Sequence, residues 1–320
     1  MQSRKVLNCF HYFDIMSNKL AVIDLGTNTF HLLIVEKKDN HFHTIHQQRI
    51  AAKLGVGGIN QNVITEAAMT RAVNALTEFK TKIDSLGAEK IFCFGTSAIR
   101  NASNKIELVE RIKSQTAIEV KIISGDEEAM LIYKGVASAI DMGREPHLIV
   151  DIGGGSVEFI IANEAEIFWK HSFEIGGQRL IERFHPHDPI TAEEIILLEE
   201  YFKEQLSILL KELKKYNPVS LLGSSGSFDT LSEIYCNNEE IPYHAESPET
   251  LLSIGAFYSI HHLLITKNRN ERMQIPGMIE LRVDMIVVGS CLIKFLLDNH
   301  DFDSIRVSTY SLKEGVLAGL

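Results

Sequence analysis

Two short stretches of this chain carry the residue types that hold phosphate. Asp24-Leu25-Gly26-Thr27-Asn28-Thr29 and Asp151-Ile152-Gly153-Gly154-Gly155-Ser156 each place an aspartate two residues before a run of small residues. Glycine lets the backbone approach an oxyanion, and successive N–H groups form an anion nest. Asp24 and Asp151 offer hard oxygen ligands for Mg²⁺, bound directly or through water. A third small-residue segment, Gly223-Ser224-Ser225-Gly226, lies between an apolar run and an expected helix, where a phosphate can meet a helix N-terminus. Ser124-Gly125-Asp126-Glu127-Glu128 reads as a capping box opening a helix. Dipole compensation accounts for Asp126 and Glu127 but less well for Glu128, which points to another side of the first turn. Glu128 is therefore a candidate general base for attack of water on phosphorus. Glu158, a lone acid on the apolar run Val157–Ala162, could position water or a metal. Arg100 could clamp a phosphate through two parallel N–H bonds. Each feature also has a plain explanation: a hairpin turn, a capped helix, an acid on an exposed edge, a surface arginine.

The pairing of the two turns lifts them above that plain explanation. A constant offset of 127 residues superposes Asp24 on Asp151, Gly26 on Gly153, Thr29 on Ser156 and the apolar runs on both sides. Each unit is strand, aspartate, tight turn, strand, so the chain reads as a doubled α/β fold whose halves face each other across a cleft. Strands are expected at Leu20–Asp24, Phe30–Glu36, His41–Ile50, Lys90–Phe94 and Glu119–Ile123. In the second half they are expected at His147–Asp151, Val157–Ala162, Glu166–Phe173, Val219–Leu222 and Ser304–Val307. Apolar spacing predicts a helix from Thr65 to Leu86, ending at Gly87, and one from Ser124 to about Ile140. One long helix is expected from Thr191 to about Tyr216, with others over 248–266 and 280–298. Asn104, with Glu107 three residues on, and Ser311, with Glu314, read as helix caps.

The chain has 320 residues, 45% hydrophobic and 23% charged, which suits two globular domains and excludes wholesale disorder. The domains are expected over 17–140 and 141–320, divided at the polar segment Asp141–Pro146. The last helix, about 311–320, would pack back on the first domain, and residues 1–16 read as a tail. The net charge of −10 argues against a general electrostatic grip on nucleic acid or an anionic membrane, so an anion must be held by local groups. No apolar run is long enough to span a bilayer. Four scattered cysteines without a CxxC pair suit a reducing cytoplasm. Thirteen histidines include no HExxH, and those at 41, 43, 46, 185, 187, 261 and 262 read as solvated surface residues.

In order along the chain, Ala21–Phe30, Gly95–Arg100, Ile123–Ala129 and Asp151–Glu158 resemble the motifs of the exopolyphosphatase / guanosine-pentaphosphate phosphohydrolase (Ppx/GppA) family. Arg282 in the Glu280–Gly289 segment and the closing Lys313-Glu314-Gly315 extend that resemblance. It implies two ribonuclease-H-like domains of the actin / sugar kinase / Hsp70 superfold around a central cleft. By the resemblance Glu128 would be the general base, Arg100 would bind the phosphate chain, and Glu158 would organise water or Mg²⁺. Gly26, Thr27, Asn28, Gly153, Gly154, Gly155 and Ser156 would hold phosphates. The activity implied is release of terminal phosphate from inorganic polyphosphate, with conversion of pppGpp to ppGpp as the alternative and a homodimer as the assembly. This chain departs from the usual motifs at Thr27 and Thr29, at Val157, in the Gly223–Ser227 segment, and at Lys313, where arginine is common. Two other classes share the residue pattern: a kinase of the same superfold, and a sensor that binds polyphosphate or nucleotide without turnover.

Overall fold

Strand β1 (Lys19–Leu25) is buried along nearly its whole length because apolar clusters cover both its faces, Ala21, Ile23 and Leu25 packing into one and Leu20 and Val22 into another. In the computed structural model, which describes residues 18–39, 41–184, 187–244 and 246–320, β2 (Phe30–Lys38) runs antiparallel on one side of it. On the other side β4 (Lys90–Gly95) runs parallel, with β3 (His41–Ile50) outside β2 and β5 (Val120–Ile122) outside β4. Strand β3 is largely exposed, as a polar edge strand rich in His and Gln should be. The proposed tail, Cys9 and His185 fall outside the described residues.

The second sheet repeats this plan. Strands β6 (His147–Ile152), β7 (Val157–Ala162) and β8 (Ile167–Phe173) form the antiparallel run. Strands β9 (Ser220–Ser224) and β11 (Ser304–Ser308) continue in parallel from β6, and β10 (Glu249–Leu252) closes the far edge. The sheet orders are β3-β2-β1-β4-β5 and β10-β11-β9-β6-β7-β8. The register repeats as well, since Asp24 faces His31 in the first hairpin and Asp151 faces Glu158 in the second. The duplication read from the sequence is thus a duplication of topology, with a ribonuclease-H-like arrangement of strands in each half.

Helices α1 (Glu66–Leu86), α2 (Ser97–Asn101), α3 (Lys105–Thr116) and α4 (Gly125–Ala139) belong to the first half. Helix α1 starts on Thr65, whose side chain accepts from Ala68, and stops at Gly87 with φ of 69°. The second half carries α5 (Gly177–Phe184), α6 (Ala192–Gln205), α7 (Ser207–Tyr216), α8 (Gly226–Asn238), α9 (Ile254–Thr266), α10 (Arg269–Arg272), α11 (Met285–Asn299) and α12 (Leu312–Leu317).

Four expectations change. The helix from Thr191 to Tyr216 is two helices, interrupted at Leu206, which leaves helical geometry with its side chain fully buried. The 248–266 helix begins only at Ile254, because Glu249–Leu252 alternates buried and exposed residues and pairs with β11. The last long helix starts at Met285, not at 280. Asn104 does not cap α3; its amide instead bridges the N–H (3.0 Å) and carbonyl (2.8 Å) of Ile64.

Three apolar clusters hold the molecule together. One backs the second sheet and another backs the first. The third lies between the sheets and joins Val22 and Leu33 with Ile149, Ile160 and Leu222, and with Ile132 and Val136 of α4 and Leu312 and Val316 of α12. Burying each of these side chains contributes about 1.5–3 kcal/mol. Helices α4 and α12 touch almost backbone to backbone. A Cβ on Gly315 would strike the Leu131 carbonyl, and one on Gly135 the Ser311 carbonyl.

Candidate functional site

The two small-residue turns meet face to face. A Cβ on Gly154 would come within 3.0 Å of Thr27 Cβ, and one on Gly155 within 2.5 Å of both Thr27 Oγ1 and Ser97 Oγ. Glycine is therefore required here by close approach of the two halves, as well as by any ligand. Asn28 Nδ2 crosses the junction to donate to Gln178 Oε1 at 3.0 Å. The cleft behind the turns is lined by Asp24, Gly26, Thr27, Asn28, Glu128, Asp151, Gly153, Gly154, Gly155, Ser156, Glu158, Ser225, Gly226 and Arg282. The structure thus gathers fourteen of the seventeen sequence-selected residues around one space, with Arg100, Gly223 and Ser224 outside its lining.

Asp24 lies one residue before the end of β1 and Asp151 one residue before the end of β6, and the two differ in partners. Asp151 Oδ2 accepts from Ser224 Oγ (3.1 Å), Ser225 Oγ (2.7 Å) and Ser311 Oγ (2.6 Å). Asp24 is half-buried, and its Oδ1, shut off from solvent, has no partner among the described residues. Burial, with Asp151 adding to it against the opposing pull of Lys313, raises the Asp24 carboxyl to about 7.

Glu128 separates from Glu127 as the capping geometry requires. Glu127 turns back to accept from the Ser124 N–H at 2.9 Å, while Glu128 is buried and accepts from Arg100 Nη1 at 2.6 Å. Burial and the neighbouring Glu158 push the Glu128 carboxyl well above its usual range, against the pull of Arg100. Glu158 is fully enclosed on β7, accepts from Ser172 Oγ at 2.7 Å, and is raised to about 8 by burial and then by Asp151. Arg100 sits behind Glu128, largely buried, and is no surface arginine.

The third small-residue segment divides. Ser225 and Gly226 line the cleft, and Gly226 makes room for Arg282, whose guanidinium a Cβ would hit. Gly223 and Ser224 lie beneath. A Cβ on Gly223 would enter the Phe228 ring, and the buried Ser224 hydroxyl is spent on Asp151 and the Tyr310 carbonyl. A phosphate contact expected of Gly223 and Ser224 gives way to packing and to support of Asp151.

Several lining residues escaped the sequence reading. The offset of 127 that pairs the aspartates also places His31 on Glu158, yet His31 carries no local signal of its own. It lines the cleft with Arg49, Asp229 and Lys313. Burial, then Lys313, Arg49 and Arg282, hold its imidazole well below the usual range, so it is neutral. His261 is another departure: it is buried on α9 against Ser290 Oγ at 2.9 Å, and no surface residue. Glu174, after β8, bonds Ser97, Arg100 and Arg179, which no short motif announces.

The cleft suits a charged guest. Asp24 Oδ1, Asn28 Oδ1, Thr29 Oγ1 and Asp229 Oδ1 are all buried there without hydrogen-bond partners among the described residues. Buried polar atoms are ordinarily paired, so these point to a ligand or its waters. The concentration of acids fits a divalent cation. Among the described residues, however, no three His, Cys, Asp or Glu side chains converge into a direct metal cage. Magnesium, which keeps several of its waters, matches that donor set.

Comparison with known proteins bears on the same region. The model of the Ppx/GppA phosphatase family matches residues 33–320. An exopolyphosphatase from Cytophaga hutchinsonii has a similar solved structure, with a TM-score of 0.92, 45% identity, and cover of 94% of this chain and 98% of that one. A bifunctional 3-dehydroquinate synthase/phosphatase of Fusobacterium nucleatum is 33% identical over 299 residues, which is 90% of this chain and 44% of that protein. A guanosine-5'-triphosphate,3'-diphosphate pyrophosphatase of Photobacterium profundum is 26% identical over 297 residues, 93% of this chain and 58% of that protein. This chain thus spans about half the length of those two curated relatives.

Proposed function

We propose, from the premise that this chain belongs to the Ppx/GppA phosphatase family, that it hydrolyses the terminal phosphoanhydride bond of inorganic polyphosphate. The observation that carries this reading is the joining of two Asp-x-Gly turns and a buried, arginine-held glutamate around one cleft with unpaired polar atoms. Similarity to the Cytophaga exopolyphosphatase supports it.

The chemistry asks for position and charge more than for covalent help. In this reading the backbone N–H groups of the Gly26–Asn28 and Gly153–Ser156 turns hold the phosphoryl oxygens. Arg282 and Lys313, on the cleft wall, face the remaining negative charge. Glu128 removes a proton from the attacking water, and its raised carboxyl makes it a stronger base than a solvated glutamate. Arg100 keeps it oriented and favours its ionised form. Glu158, fixed by Ser172, holds the water from the other side. Mg²⁺ would be held by Asp24, Asp151 and Glu158 partly through its own waters, and would neutralise charge on the phosphate.

A second substrate has its own observation. Beyond Arg49, Arg282 and Lys313 the cleft adjoins a cavity of about 760 Å³ that also presents Phe42, Gln47, Tyr243 and Tyr310. Aromatic and amide groups next to a cationic neck suit a nucleoside joined to phosphates, which supports pppGpp as the alternative. One experiment tests both readings. Phosphate release is measured from long polyphosphate, tripolyphosphate and pppGpp, with and without Mg²⁺, for the wild type and Glu128→Gln. The expected result is Mg²⁺-dependent release that is fastest from polyphosphate and falls by about 10²–10⁴ in the variant. Faster release from pppGpp selects the alternative. Wild-type turnover in folded Glu128→Gln removes the base assignment, and tight binding without release from any substrate returns the protein to the sensor class.

A further inference from the structure

Beside Glu128 lies a second anion position, already filled by the chain itself. Glu174 belongs to the turn between β8 and α5, and its carboxylate has three donors. Ser97 Oγ reaches Oε2 at 2.6 Å, Arg179 Nη2 reaches the same oxygen at 3.2 Å, and Arg100 Nη2 reaches Oε1 at 3.1 Å. Ser97 and Arg100 come from the first half and Arg179 from the second.

The donors are built and the acceptor is not. Arg179 is 12% exposed and is pinned by its other nitrogens, Nε on the Gly155 carbonyl (2.9 Å) and Nη1 on the Ile59 carbonyl (2.8 Å). Arg100 is 16% exposed and is fixed through Nη1 to Glu128 and the Ile123 carbonyl. Ser97 is buried and faces the Gly155 turn of the cleft. Glu174 is 39% exposed, and among the described residues its side-chain bonds all run to these three donors. Two guanidiniums held this close repel each other unless an anion lies between them, and a carboxylate with three charge-assisted or short contacts meets that need. A phosphate oxygen face offers the same acceptors with more charge.

We propose that Ser97, Arg100 and Arg179 form a phosphate seat beside Glu128, at the junction of the two halves, and that Glu174 occupies it as an internal stand-in which a substrate phosphate must displace. The proposal rests on the polyphosphate-hydrolase reading for the identity of the ligand. Glu174 then sets specificity. A single phosphate competes poorly with a tethered carboxylate, whereas a chain already gripped in the cleft displaces it. Displacement also frees one nitrogen of Arg100 while the other stays on Glu128, so the base remains oriented as the substrate settles.

The test measures binding apart from turnover. Tripolyphosphate binding without Mg²⁺ is followed by calorimetry, and KM for polyphosphate with Mg²⁺, in the wild type, Glu174→Gln and Glu174→Gln/Arg179→Met. Removing a charge-assisted competitor predicts a dissociation constant and a KM each lower by about tenfold in Glu174→Gln. Inhibition by inorganic phosphate strengthens in parallel, and the gain is lost when Arg179 is also replaced. If Glu174 only ties the halves together, Glu174→Gln raises KM and lowers Tm without tightening tripolyphosphate, which overturns the proposal. Unchanged binding and KM overturn it as well. Tightened tripolyphosphate binding in a protein that releases no phosphate from any substrate leaves the seat standing and removes the hydrolase reading instead. Phosphate release with no tightening removes the seat alone.

Discussion

Asp24 and Asp151 show how one residue type at matching positions is given different chemistry by its neighbours. Three serine hydroxyls converge on Asp151, whereas Asp24 keeps a buried oxygen that is unpaired among the described residues. The Asp24 carboxyl, raised to about 7, is protonated in the folded chain over a range where the unfolded chain has lost its proton. Its contribution to stability is complete below about pH 4 and is lost as pH rises through about 7, because the unfolded state binds fewer protons there. Asp24→Asn removes that dependence. The expected outcome is a Tm difference, variant minus wild type, that grows between pH 5 and pH 8 without Mg²⁺; thermal melts across that range check it. Both aspartates were legible in the sequence because the doubled motif is local and repeats in register. Glu128 was legible because the capping box consumed its neighbour and left it over. Glu174, Arg179, Arg49 and His31 were not, since their partners stand up to 251 residues away in the chain (His31 to Arg282), and only packing joins them.

At the scale of elements, α4 matters most, since it carries Glu128 at one end and meets α12 along its side. That contact depends on missing side chains. Gly315→Ala drives a methyl group into the Leu131 carbonyl, and overpacking of this kind costs about 1–3 kcal/mol or more. The variant is expected to melt several degrees lower and to lose turnover as the start of α4 shifts. Ala318→Gly, on the outer side of the same helix segment, is expected to have a much smaller effect on turnover. Denaturation midpoints and phosphate release for the two variants check this. Most strands and α1 could be read from periodicity and caps. The break at Leu206 could not, because no glycine or proline marks it. The β10 strand was hidden because Thr250 to Leu264 is apolar enough to pass for one helix, and its pairing partner β11 is more than fifty residues away.

Across the whole molecule, several bonds join the first half to α5 of the second. Asn28 reaches Gln178, the Gly57 N–H reaches Glu182 at 3.1 Å, and Arg179 reaches Ile59. A polyanion held by both turns would add to this junction, so it should stabilise both halves together. Tripolyphosphate with Mg²⁺ at a hundred times its dissociation constant is expected to add about 2.7 kcal/mol to the unfolding free energy. Hydrogen exchange should slow in β1 and in β6 at once. Protection confined to one sheet would place the ligand outside the shared cleft. Among the described residues no helix is long and apolar enough to cross a membrane.

The segment from Ser311 to Leu317 carries a consequence for how the protein comes into being. Ser311 supplies one of the three hydroxyls on Asp151, and Leu312 and Val316 cover apolar surface of α4, made almost two hundred residues earlier. A ribosome delivers that surface long before its cover. The nascent first half therefore waits with an oily flank bare, and both the flank and the aspartate are completed by the same late stretch of polypeptide. Maturation of the cleft therefore waits on the Ser311–Leu317 segment, so a polypeptide stopped short of Ser311 should emerge sticky and inert.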